Sequence, residues 1–289
     1  MRIIMNKRID RLAGFLLMLT LSCSFSGVAS EALSVDFLAS VEIDDNIGSA
    51  DLQNDRESDW ALTVGSVVTR NLVISERSAL QLRGMAQLRD QQDFDDLDRL
   101  QVSGSVRYVW QPGLDFSSPW FEVMTELRGE RYGESAIRDS WFAIGGLGIG
   151  QRLTDRLDTH LGYRYTSRDP REREIFDTDQ QRLFLRADLR LSMSAQVYGL
   201  WSLVQGDLTS SGRLEPVILA ASTERGPDPA LRTAAWQLDG TRRELEIGLI
   251  LPLGDLVNLD VSVIRSEATA TRSIDYRRNR VQASLLRRF

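Results

Sequence analysis

From Leu33 onward the chain is built of short runs in which apolar and polar residues alternate. Leu33, Val35, Phe37, Ala39 and Val41 share one face, and Ser34, Asp36, Ser40 and Glu42 the other. Leu80, Leu82, Ala86 and Leu88 oppose Gln81, Arg83, Gln87 and Arg89. Leu100, Val102, Val106 and Tyr108 oppose Gln101, Ser103, Ser105 and Arg107. Phe121, Val123 and Leu127 oppose Glu122, Glu126 and Arg128. Period two means β-strand, because successive side chains of an extended chain point to opposite faces. In the run 182–191, a helical period would gather Arg182, Arg186 and Arg190 but scatter the leucines; period two sorts every residue except Phe184. The same pattern covers 62–69, 147–153, 157–165, 197–203, 245–251, 257–263 and a terminal segment through Val281, Ala283 and Leu285 to Phe289, making about twelve strands.

Strands apolar on one side and charged on the other suit a closed wall with lipid outside and water inside. The expected fold is an all-β, transmembrane, antiparallel up-and-down β-barrel. A soluble periplasmic β-sandwich is the alternative, and there the apolar faces would meet in a packed interior. The breaks between strands alternate in length, as a weaving chain requires. Short ones fall near 71–77, 111–118, 153–156, 192–194 and 252–255. Long ones fall near 44–58, 90–97, 131–138, 167–180, 206–242 and 267–275. Twelve strands place both termini on the short-turn, periplasmic side. The stretch 206–242 holds two apolar pieces, LEPVILAA (214–221) and LRTAAWQL (231–238). They would raise the count to fourteen if they crossed the membrane, or form a hairpin above it or a segment folded into the lumen. Pro216, Pro227 and Pro229 argue against further ladder strands.

The first thirty residues read as an export signal: Arg2, Lys7, Arg8 and Arg11, then the apolar run Leu12 to Leu21, then small residues up to Ser30. That run is too short to cross a bilayer as a helix. Cys23 lacks a well-placed lipobox leucine, so cleavage after Ser30 is the expectation, with residues 31–289 as the barrel. The segment 31–289 has no cysteine, which suits an oxidising envelope compartment. Without the signal the net charge moves from −6 to −9, because four basic residues and Asp10 leave, and an acidic chain argues against nucleic acid as partner. Lys7 is the only lysine; the other basic residues are arginine.

The polar faces carry charges of both signs. Arg182, Arg186 and Arg190 form a ladder, with Arg164 on the strand before, Arg278 and Arg280 on the last strand, and Arg83 and Arg107 earlier. Glu122, Glu126, Glu244 and Glu246 stand against them. Tracks of basic residues in a pore attract anions, so these twelve residues are the expected lining of a passage for small polar or anionic solutes. The bland counterpart is charge pairing that fills a narrow lumen. Catalytic, cofactor and metal sites are not expected. His160 is the sole histidine and its parity turns it inward, away from lipid. The glycines at 145, 146, 148 and 150 lack the lysine of a phosphate loop and sit inside a strand, where they leave lumen space. One histidine and no cysteine after residue 30 leave no zinc-ligand spacing.

The whole 31–289 segment resembles Gram-negative outer-membrane β-barrel proteins. Phe289, after alternating Val281, Ala283 and Leu285, looks like the signal read by the barrel assembly machinery, although Arg287 stands where an aromatic is usual. VEIDDNIGSA (41–50) and DYRRNRVQASLLRRF (275–289) look like the ends of porin families linked to exopolysaccharide export, and like the barrel of surface-lipoprotein assembly modifiers. The resemblance implies residence in the cell outer membrane, with outer-membrane lipid, lipopolysaccharide and the assembly machinery as partners. It carries no functional residue across. A non-conducting accessory in polysaccharide or surface-protein export is the second reading, and an outer-membrane hydrolase the third.

Overall fold

The computed structural model describes residues 33–191 and 195–289; the signal segment 1–30 and the turn 192–194 lie outside the described residues. The strands are β1 (Leu33–Asp44), β2 (Asp59–Ser75), β3 (Ser78–Gln91), β4 (Arg99–Trp110), β5 (Trp120–Tyr132), β6 (Ser140–Arg152), β7 (Leu157–Pro170), β8 (Thr178–Arg190), β9 (Gln196–Gly212), β10 (Arg225–Asp228), β11 (Thr233–Pro252), β12 (Val257–Ala270) and β13 (Ile274–Arg288). Every pairing is antiparallel between chain neighbours, with two exceptions that shape the molecule. β9 pairs with β11, leaving the short β10 as an appendage, and β13 pairs with β1. The second pairing closes a twelve-strand up-and-down barrel in which each long strand has a partner on both sides. Closure satisfies the backbone polar groups of the wall without water.

The faces sort as the alternation requires. Leu185 is 47% exposed and Leu127 67%, whereas Asp36, Ser40, Glu42, Thr63, Glu122, Ser202, Glu244 and Ser262 are buried. Apolar side chains therefore point outward, and a sandwich interior is excluded. Trp60, Tyr108, Trp110, Trp141, Tyr163 and Tyr165 are all on the outer face and exposed. Phe289 packs edge-on against Phe37 across the closing pair, ring centroids 5.1 Å apart.

The connections at one end are L1 (45–58), L2 (92–98), L3 (133–139), L4 (171–177), L5 (213–232) and L6 (271–273). At the opposite end the described connections are tight turns at 76–77, 153–156 and 253–256 and a longer one at 111–119. Length therefore alternates less strictly than the sequence suggests: L6 is three residues because β12 and β13 run further than their apolar positions show.

The stretch 206–242 adds no wall strand. β9 continues to Gly212 and β11 starts at Thr233, so LRTAAWQL is mostly the upper part of β11. LEPVILAA forms a one-and-a-half-turn helix, α1 (Pro216–Ala221), opened by Pro216 where a missing N–H costs nothing. At Gly206 and Gly240, paired with each other, the β9–β11 ribbon parts from its neighbours: β8 pairs no higher than Gly206, and β12 no higher than Gly240. Gly206 has φ +125°, a backbone that other residues rarely adopt, and a Cβ there would strike the carbonyl of Asp179.

Candidate functional site

Two features mark one site: a charged lumen, and a packed cap at its long-loop end. The lumen follows from strand parity. Register pairs Arg83 with Thr69 and Ser105, Arg164 with Gly146 and Arg182, and Glu244 with Ser202 and Ser266, so these residues share the inner face. By the same alternation Arg107, Arg186, Arg190, Arg278, Arg280, Glu122, Glu126 and Glu246 also point inward.

Long guanidinium arms reach over an intervening strand to find carboxylates. Arg89 on β3 meets Glu42 on β1 at 2.7 Å, above Thr63 of β2. Arg182 on β8 meets Glu244 on β11 at 2.9 Å, above the fully buried Ser202 of β9. Arg280 on β13 meets the same Glu244 at 3.4 Å, and Ser266 of β12 donates a hydrogen bond to it at 3.1 Å. Arg280 also stands 4.0 Å from Glu42. The result is a belt of alternating sign, Arg89–Glu42–Arg280–Glu244–Arg182, running round the inner wall from β3 to β8. Small residues beneath each bridge make the reach possible, and charge-assisted bonds of this kind are about twice as strong as neutral ones.

The opposite arc is organised around glycine. Glu122 lies 3.1 Å from Arg107 and 3.3 Å from His160 Nε2, and a Cβ at Gly148 would overlap both Glu122 and His160. Phe184, the residue that breaks the alternation of β8, turns inward over Gly162, where a Cβ would overlap its ring. It meets His160 edge-on at 5.3 Å and carries the Arg164 guanidinium 5.0 Å above its face. Arg164 and Arg182 are directly opposed across β7 and β8, an unfavourable like-charge pair that the ring face and Glu244 relieve.

Of the twelve residues singled out from sequence, Arg107, Arg182, Arg186, Arg190, Arg278, Arg280, Glu122, Glu126 and Glu244 make ion pairs. Glu246 instead accepts the Tyr198 hydroxyl at 3.0 Å. Among the described residues no carboxylate forms an ion pair with Arg83 or Arg164. The belt members Arg89 and Glu42 stand on polar strand faces in the sequence but are not among those twelve residues, and neither is Asp44, the partner of Arg278. Arg138 and Asp228, described next, sit in L3 and on β10, outside the barrel wall, where no periodicity could reveal them.

The cap is built on the bent β9–β11 ribbon. Ala235, Trp236, Gln237 and Leu238 are consecutive and all buried, so both faces of the ribbon are covered. Trp236 and Leu238 pack with Ile218 of α1 and with Ala270 and Ile274. Ala230 and Leu231 of L5 pack against Leu97 of L2, with Ile47, Phe94 and Tyr132 around them. In strand order, L2 joins the strands diametrically opposite β9 and β11, so L5 crosses the whole mouth. Polar contacts fasten it on other sides. Asp228, 0% exposed, receives Arg138 of L3 and, at 2.6 Å, the Ser211 hydroxyl. Arg138 stacks 4.7 Å over Phe176 of L4, and Arg213 reaches Asp55 of L1 at 2.9 Å. The buried Asn46 of L1 bonds to the carbonyls of Ala50 and Arg277. The Arg138 side chain is 15% exposed beneath L5.

No protein-family model matches the chain, and no curated protein matches it in sequence. Solved structures do. It is similar to the COG4313 outer membrane channel from Pseudomonas putida F1, at 8% identity over 92% of this chain and 98% of that one, with a TM-score of 0.57. The two chains share the closed β-barrel fold. The KdgM porin in complex with disordered oligogalacturonate shares 9% identity over 88% of this chain and 98% of its own, TM-score 0.42. The NanC porin shares 8% over 88% and 98%, TM-score 0.41.

Proposed function

We propose that the protein sits in the outer membrane as a porin-like passage for small polar solutes, preferring anions, with the cap formed by L5 governing entry at the outer mouth. The observation that carries this reading is the composition of the inner face. Its carboxylates are largely engaged by arginine, whereas Arg83 and Arg164 have no such partner among the described residues. An aqueous lumen with surplus guanidinium groups concentrates anions. The outward apolar band meets membrane lipid.

Planar-bilayer recording of the purified barrel tests it. The wild type gives stepwise conductance with anion preference. Replacing 214–231 by a short glycine–serine turn enlarges the steps. R83E combined with R164E lowers the anion-to-cation permeability ratio severalfold. The closed cap also favours a second reading, a non-conducting accessory to polysaccharide or surface-protein export. Silence in both the wild type and the cap-deleted protein would select it.

A further inference from the structure

The outer wall changes character abruptly on three adjacent strands. On β11 the outward residues Ile247 and Leu245 are exposed and apolar, and the next one up is Arg243. On β12 Val261 and Val263 give way to Arg265 and then Glu267; on β13 Val281 gives way to Asn279 and then Arg277. Register sets Arg243, Glu267 and Arg277 in a single row across the three strands, with Arg265 one outward step below. The Arg265 guanidinium lies 2.6 Å from Glu267, and that of Arg277 lies 3.7 Å from it. Three guanidinium groups thus surround one carboxylate, leaving a local surplus of positive charge on a chain whose net charge is −6.

Depth decides what this patch meets. Two residues of strand rise about 6–7 Å, so Arg265 stands about that far above Val263, the last apolar residue of its face. If Val263 marks the edge of the hydrocarbon, Arg265 lies at the level of lipid headgroups and the row of Arg243 and Arg277 just above it. The planar fork of arginine matches phosphate oxygens two at a time. Glu267 holds two of the three forks in place and lowers the entropy lost on engaging a ligand.

We propose that Arg243, Arg265 and Arg277, arranged around Glu267 on the outer wall of β11–β13, form a docking surface for the phosphate groups of a phosphorylated lipid of the outer leaflet. The inference rests on the membrane placement given above.

The test is native mass spectrometry of the protein extracted from outer membranes in mild detergent. The probes are a bisphosphorylated lipid A and the same lipid with its phosphates removed. The wild type binds the phosphorylated form at least tenfold more tightly. The combined R243Q, R265Q and R277Q variant loses that preference, while R131Q, which removes an outward arginine on β5, keeps it. Millimolar inorganic phosphate does not displace the lipid. Equal binding of the two lipids by the wild type, retention of the preference by the triple variant, or displacement by inorganic phosphate overturns the proposal. All variants are checked for heat-modifiable migration and for recovery with the outer-membrane fraction. Failure of the wild type on those two counts would sink the membrane reading itself, which a lost lipid preference would not.

Discussion

Phe184 is where a strict two-residue alternation fails, and the structure explains why. An inward aromatic ring needs a neighbour without a side chain, and Gly162 directly opposite supplies it. Gly162→Val should therefore destabilise the barrel by about 1–3 kcal/mol through overpacking. The same change in a Phe184→Ala background should cost far less, a coupling visible in a double-mutant cycle of denaturant unfolding in detergent. Asp228 poses the second residue-scale test. Its carboxylate is buried with Arg138 and Ser211 as partners, and removing one member of a buried pair typically costs about 3–5 kcal/mol. Asp228→Asn should loosen the cap before the wall, seen as faster proteolysis within 213–232 with the heat-modifiable barrel intact. The inward arginines were legible in the sequence because parity alone assigns a strand residue to a face. Arg138 and Asp228 were not, because loop residues have no period and their meeting depends on L5 crossing the mouth.

At the scale of elements, the wall strands were readable and the cap was not. Alternation survives wherever one face meets lipid and the other water. It disappears at 235–238, where the ribbon is covered on both sides and every residue is buried whatever its polarity. Prolines marked the segment as exceptional, and Pro216 proved to start a helix. L4 offers a test through pH. The Asp177 carboxyl is pushed above the usual carboxylate range by loss of water, with Asp179, Asp169, Asp207 and Glu174 adding repulsion. A raised carboxyl favours the neutral form in the folded state, so its penalty is absent below the ordinary carboxylate range and grows as pH rises through the shifted value. Asp177→Asn should raise the thermal unfolding temperature at pH 7 and not at pH 4, with the gain shrinking in high salt.

For the molecule as a whole, closure is the organising fact. The β13–β1 pairing removes the sheet edges and lets one face be mostly apolar while most of the charged wall residues share the interior. Twelve strands leave more room than the eight whose interiors side chains fill, and less than an open sixteen-stranded porin. In that intermediate bore, arginines bridge over a strand to carboxylates on the next strand but one. The proposed function requires such a lumen to hold water and attract anions beneath the cap. The chain's only cysteine is Cys23, so single cysteines elsewhere can report solvent directly in a Cys23→Ser background. The most direct measurement compares R83C, on the inner face near the turn end, with L185C, on the outer face, using membrane-impermeant thiol reagents of either charge on the reconstituted protein. R83C should react readily and faster with the negative reagent, while L185C stays protected by lipid. Rapid labelling of L185C with R83C inert, or a faster reaction of R83C with the positive reagent, would contradict the account.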